Sequence, residues 1–281
     1  MIRKILSTFG LYAAAVRLYQ YCQKMRNDFS DEHLRHYHLP DATFRNAWLR
    51  LKGAPDRLPI PPSESIFAVA GTPNVKWFLH SGKLGALCIR DVLRKHEIEQ
   101  DSLTSVLDFG CGSGRVIRHM TFLNKAKLFG TDYNPKLIEW CEINLPFASF
   151  SLNDLEPPLA YGSGMFDLVY AFSVFTHLHE RRQFLWMKEF KRILRSQALL
   201  LISLSGSSYL HLLTPDEQRQ FRNGQLVVRE SGSEGSNDCA AFHPEEFLRR
   251  TLADGFDVLD FLPQGAKGNP WQDLYLLRKQ S

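Results

Sequence analysis

The stretch Val106-Leu107-Asp108-Phe109-Gly110-Cys111-Gly112-Ser113-Gly114-Arg115 decides how the rest of the chain is read. Its first half is the end of an apolar run, 105–109, of the kind that forms a buried strand. Its second half is a glycine-rich turn that the pattern predicts to open a helix over 113–122. Glycines let a backbone approach a ligand closely, and a helix start offers unpaired N–H groups. Dinucleotide-binding turns follow Gly-x-Gly-x-x-Gly/Ala. The third residue after Gly112 is Arg115, so that pattern fails. The spacing is Gly-x-Gly-x-Gly, with Asp108 two residues ahead of the first glycine. A carboxylate there repels pyrophosphate and suits a cationic amino-acid group.

Working outward, the same pattern repeats. Further strand-like runs fall at 127–131, 147–152, 166–172, 198–204, 255–262 and 272–279, with helix-like segments at 134–143, 178–194 and 244–254. Strands alternating with helices predict an α/β fold: a parallel sheet with helices on both faces. Upstream, 64–100 reads as helical with a break at Ser81-Gly82, and Phe44, Trp48 and Leu51 suggest a short helix. Pro61-Pro62 reads as punctuation, which divides the chain into an extension, 1–62, and a domain, 63–281, with its core at 103–281. Residues 206–240 are polar and Gly/Ser-rich and read as a long excursion.

Several segments along this pattern resemble the class I S-adenosylmethionine-dependent methyltransferases. Asp108 to Gly114 match that family's first motif. Gly130-Thr131-Asp132-Tyr133 ends the second strand, where Asp132 is similar to the family's ribose-binding acid. Asn153-Asp154-Leu155 resembles the adenine contact, an acid for the exocyclic amine and the next backbone N–H for a ring nitrogen. Residues 166–173 and Val174-Phe175-Thr176-His177-Leu178 resemble the fourth motif, and Leu194-Arg195 a further one, although Ser196-Gln197-Ala198 stands where the family has Pro-Gly-Gly. The closing segments, Ala241 to Glu246 and Gly268 to Asp273, are similar to uncharacterised bacterial members. The resemblance spans about residues 75–280. It implies a Rossmann-like sheet of seven strands, mostly parallel, the last inserted antiparallel, here with an N-terminal helical extension. It also implies S-adenosyl-L-methionine as cofactor.

The candidate cofactor residues are then Asp108, Gly110, Cys111, Gly112 and Gly114 of the turn, with Asp132, Tyr133, Asp154, Leu155 and Phe172 at the following strand ends. Ser81 and Gly82 join them as a lid at the methionine end, the alternative being a plain helix break. Asp132 and Asp154 could instead cap local turns, and Tyr133 and Phe172 could be core. His177, and after it His243, are candidate general bases, because an unperturbed imidazole titrates near neutrality. A helix cap or a packed histidine is the alternative for each. No Asp/His spacing suggests a metal.

The expected activity is methyl transfer to oxygen or nitrogen of a small-molecule, sugar or lipid-linked acceptor. The alternatives are a silent binding module of the same fold and a nicotinamide-dependent oxidoreductase, which Arg115 disfavours. No Asn-Pro-Pro-aromatic motif follows the fourth strand, where Ala171-Phe172-Ser173-Val174 stands, which argues against amino-group methylation of adenine or glutamine.

Charge adds a last constraint. The formal charge is +4 over 281 residues, yet residues 1–26 carry five basic side chains and no acidic one. The remainder, at 29 basic and 30 acidic, is near neutral, which argues against a duplex-binding groove. Residues 1–26 are amphipathic at helical spacing and too short in their uncharged part to span a bilayer. They read as a helix packed on the domain or as a peripheral contact with anionic lipid. A secretory reading ranks last, because the cofactor is cytosolic, so a cytoplasmic or membrane-peripheral protein is expected. Five dispersed cysteines without a Cys-x-x-Cys pair fit a reducing compartment.

Overall fold

The computed structural model describes residues 39–230, 234–236, 238–269 and 271–281. The basic segment 1–26 lies outside the described residues. A compact unit runs from Asn46 to Ser281, so the expected boundary at 62/63 falls inside it. Helix α1 (Leu39–Lys52) is followed by α2 (Ser63–Ala70) and α3 (Val75–Lys95). The core then alternates: β1 (Ser105–Phe109), β2 (Lys127–Asp132), α4 (Pro135–Asn144), β3 (Ser149–Leu152), β4 (Phe166–Ala171), α5 (Glu180–Ile193) and β5 (Leu194–Leu204). The chain closes with α6 (Pro215–Arg222), β6 (Val227–Glu230), β7 (Cys239–Phe242), α7 (Glu245–Phe247), β8 (Phe256–Leu262) and β9 (Asp273–Lys279).

Seven strands form one sheet in the order β3-β2-β1-β4-β5-β9-β8. Strands β1 to β5 pair in parallel, and β9 lies antiparallel between β5 and β8, as the resemblance implies. Side chains alternate across a strand, so each central strand feeds two cores. Leu107, Val169, Leu200 and Leu277 join one with Trp186 and Phe190 of α5. Val106, Leu168, Leu201 and Leu276 join the other with Ile89 and Val92 of α3. That two-sided burial is why β1 reads as a continuous apolar run. The strands' carboxyl ends and the reversal of strand order between β1 and β4 leave the crevice where ligands of such sheets bind.

Four local expectations are corrected. The segment 113–122 is a series of turns around a single tight turn, Ile117–His119, and no α-helix. Helix α3 approaches it so closely that a Cβ on Gly82 would lie 1.8 Å from the Arg115 carbonyl oxygen, and Arg118 is drawn away to Asp56 at 2.7 Å. The break expected at Ser81-Gly82 falls instead at residues 71–74, where Gly71 ends α2 in the left-handed region and the Asn74 side chain caps α3. Residues 244–254 make one α-turn that widens into a π-turn over Leu248–Leu252. The excursion 206–240 is built rather than loose. It contains α6, started by a reciprocal Thr214–Glu217 capping box, and the β6–β7 hairpin. Among the described residues, no helix is long and apolar enough to cross a membrane.

Candidate active site

The glycine turn is set by β2. The Gly110 and Cys111 N–H groups both donate to the Thr131 carbonyl, at 2.8 and 3.0 Å. Gly110 and Gly112 have positive φ, and a Cβ on either would meet a valine within 2.6 Å: Val174 after β4 and Val69 of α2. Only glycine therefore lets these two segments close on the turn. Asp132, at the end of β2, accepts from the Gly112 N–H through Oδ2 and from the Asn134 N–H through Oδ1, both at 2.9 Å. Burial raises its pKa, and the backbone donors oppose that. Each carboxylate oxygen keeps a further lone pair.

Asp108 differs. It is 4% exposed, and its Oδ2 has no hydrogen-bond partner among the described residues. Burial pushes its pKa up to about 7, opposed by the Tyr170 hydroxyl and the Arg115 guanidinium. Arg115 is anchored: Nη1 donates to Ser81 Oγ and the Gly268 carbonyl, both at 3.3 Å, and Nη2 to Asn269 Oδ1 at 2.6 Å. Beyond β3, Thr131 Oγ1 donates to Asn153 Oδ1 at 2.6 Å, and Trp186 Nε1 donates to the Leu155 carbonyl at 3.1 Å. These bonds hold the turn 153–155, on which Asp154 is exposed.

One cavity of about 500 Å³ brings these groups together. Of the residues singled out in the sequence, Asp108, Gly110, Cys111, Gly112, Asp132, Tyr133, Asp154, Leu155, Phe172 and His177 line it. Four do not. Gly114 faces Leu145 and Cys141 beneath the turn. Ser81 and Gly82 sit behind the turn on α3, Ser81 holding Arg115 and Gly82 receiving its carbonyl, so they form no lid. His243 is 1% exposed in the core, its Nε2 on Gln183 Oε1 at 3.1 Å, with burial lowering its pKa to about 3. The Gln183 amide donates to the Phe175 and Leu178 carbonyls, so its oxygen is the acceptor and His243 is a neutral packed histidine. Sequence reading missed Phe67, Ala68 and Val69 of α2, Trp186 of α5, and Gly235, Ser236 and Asp238 of the hairpin. Nothing local marks these residues: Trp186 has the spacing of a core residue, and the others reach the cavity only through tertiary packing.

His177 is placed differently from His243. It ends the turn Phe175–His177 after β4, and its Nδ1 lies 2.8 Å from the Cys239 carbonyl of β7. A carbonyl only accepts, so Nδ1 carries the proton and Nε2 the lone pair. Burial lowers the imidazole's pKa and keeps it neutral. The hairpin also holds its backbone: the Gly235 N–H donates to the His177 carbonyl at 2.8 Å, the Glu234 carboxylate accepts the His179 N–H at 2.7 Å, and Glu234 pairs with Arg182.

Residues 107–202 match the family model described as a methyltransferase domain. A 1,6-didemethyltoxoflavin-N1-methyltransferase of Burkholderia thailandensis, solved with 1,6-didemethyltoxoflavin and S-adenosylhomocysteine bound, is 16% identical. That match covers 87% of this chain and 92% of the other, with a TM-score of 0.53. An S-adenosylmethionine-dependent methyltransferase of Methanosarcina mazei is 17% identical, covering 66% and 97%, with a TM-score of 0.50. At such identities the likeness speaks for the fold. Together with the matched segment, it marks residues 107–202 as a methyltransferase domain on a class I methyltransferase fold, which supports an enzyme whose cofactor is S-adenosylmethionine.

Proposed function

We propose that this enzyme methylates a hydroxyl on a small molecule, or on the end of a sugar or lipid-linked acceptor, and that His177 is its general base. The observation that carries the reading is the Nδ1–H bond to Cys239, which leaves a neutral imidazole with its basic nitrogen in a side chain lining the cavity. The volume supports it, since about 500 Å³ must hold cofactor and acceptor together.

The chain's residues suit the cofactor. Asp108 Oδ2 is a buried carboxylate oxygen without a partner among the described residues, as an ammonium site requires, and the Gly110 and Gly112 cradle is one that a Cβ would fill. Asp132 would accept from the ribose hydroxyls, Asp154 from the adenine amine, and the Leu155 N–H would meet a ring nitrogen. When bound, S-adenosylmethionine supplies a methyl group made electrophilic by its sulfonium. Phe67, Val69, Phe172 and Val174 wall the cavity and exclude water. His177 Nε2 takes the acceptor's hydroxyl proton as the oxygen becomes the nucleophile.

His177→Gln tests this. Replacement of the base lowers methyl transfer from labelled cofactor into a cell extract's small-molecule fraction by about 10²-fold or more. S-adenosylhomocysteine affinity stays within about threefold, because no cofactor contact is assigned to the ring. Undiminished transfer would retire His177 as base.

A further inference from the structure

Ser173 follows β4 with φ +60°, a left-handed conformation that costs a serine free energy. It lines the cavity, and its turn leads directly into His177. A closed ring of hydrogen bonds holds it there. The Ser173 N–H donates to Ser203 Oγ at 2.8 Å, and Ser203 Oγ donates to Gln272 Oε1 at 2.7 Å. Gln272 Nε2 then donates back to Ser173 Oγ at 2.7 Å. Ser173 Oγ lies 3.2 Å from Thr176 Oγ1, which donates to the Ser173 carbonyl at 3.1 Å. Gln272 and Ser203 are buried, so water cannot replace a lost bond in this ring.

The ring also reaches the glycine turn. Asn269 Nδ2 approaches Gln272 Oε1 at 3.5 Å, and Asn269 Oδ1 accepts from Arg115 at 2.6 Å. Three segments distant in sequence thus share one support: the first turn after β1, the turn after β4, and the entry to β9. Strain at a single non-glycine residue beside a cavity persists only where its surroundings over-determine it, and here they do.

We propose that Gln272 is a positioning residue: through Ser173 it fixes the turn that presents His177 to the cavity, and through Asn269 it locks that turn to Arg115. Its importance for methyl transfer rests on the reading of His177 as base, whereas its hold on His177 does not. Gln272 is not among the residues that line the cavity. It sets the direction of the imidazole that does.

The test uses the full chain with ¹⁵N-labelled histidine, the His177 signals being identified with His177→Gln. In the wild type, two-bond proton–nitrogen spectra show His177 as a single neutral Nδ1–H tautomer. In Gln272→Leu that signature is lost to a tautomer mixture, while the other described histidines keep theirs. Ser203→Ala, which removes the acceptor of the Ser173 N–H, has the same effect and serves if Gln272→Leu does not fold. Methyl transfer falls on the order of tenfold to a hundredfold in both. In a Ser173→Gly background the loss on adding Gln272→Leu is several-fold smaller, since glycine holds a positive φ without support. A variant that melts at lower temperature yet keeps the His177 signature would overturn the proposal and leave Gln272 as ordinary packing. If instead the signature is lost and transfer is unchanged, the positioning holds and the reading of His177 as base is what fails.

Discussion

The charge state of Asp108 is the most consequential property at the scale of single residues. Burial lifts its pKa to about 7 from 3.8, so the folded protein binds a proton there that the unfolded chain has released. Stability from this group is therefore fully present below pH 4, declines as pH rises toward 7, and stays low above that. Asp108→Asn removes the penalty. It raises the melting temperature of the cofactor-free protein at pH 8, by an amount equivalent to roughly 1–4 kcal/mol, and leaves it nearly unchanged at pH 4. An ammonium partner needs the carboxylate, so wild-type affinity for S-adenosylhomocysteine rises by up to about tenfold per pH unit between pH 5.5 and 7. The asparagine variant binds about tenfold or more weakly at pH 7.5 and without that slope. Calorimetry across this range checks both, and a flat wild-type profile would remove Asp108 from the ammonium site. The two histidines make the complementary point. His177 stands only one place ahead of His243 as a candidate in sequence, and it is the Cys239 carbonyl, 62 residues from one, and Gln183, 60 residues from the other, that leave one lining the cavity and the other packed in the core.

Among the elements, α3 shows where sequence reading stops. The strands were legible because burial on both faces writes a continuous apolar run, as in β1 and β4. The turn after β1 was legible as glycine-rich but not in its shape. That shape is decided by contacts at sequence separations of 33 and 62, Gly82 against Arg115 and Arg118 on Asp56. Ser81-Gly82 looked like a break because glycine is a poor helix former, whereas its missing Cβ is what admits the Arg115 carbonyl. Gly82→Ala accordingly destabilises the fold by about 1–3 kcal/mol or more and weakens cofactor binding, because the carbonyl it displaces belongs to the glycine turn. Gly162→Ala is the control: nothing lies within 4 Å of its added Cβ, and its stability stays within about 0.5 kcal/mol of wild type. Chemical denaturation of the three proteins checks the contrast.

The whole chain divides its labour between a sheet that supplies the carboxylates and peripheral segments that wall the cavity. One of those segments is clamped by the Arg118 guanidinium, which is fully buried and pairs with Asp56 at 2.7 and 3.0 Å. It also donates to the Leu58 and Pro59 carbonyls. Asp56→Ala leaves a buried charge uncompensated and costs about 3 kcal/mol at pH 7. Arg118 lowers the Asp56 pKa below 3.8, so this contribution is present above about pH 4 and is lost as pH falls through the folded-state value. The wild type and Asp56→Asn therefore converge in melting temperature at low pH. The basic segment 1–26 gives a separate test of location. Co-sedimentation with anionic vesicles, lost when the segment is removed, would place it on lipid, and equal binding with and without it would leave its charge as ordinary surface.

Everything proposed for this enzyme depends on the 500 Å³ cavity being the cofactor site, with Asp132 as one of its anchors. Calorimetric titration of the full chain with S-adenosylhomocysteine tests it most directly. One site per chain is expected, with affinity reduced about tenfold or more by Asp132→Ala and retained in His243→Gln. No binding at millimolar ligand, or an Asp132→Ala variant that binds as tightly as the wild type, would contradict it.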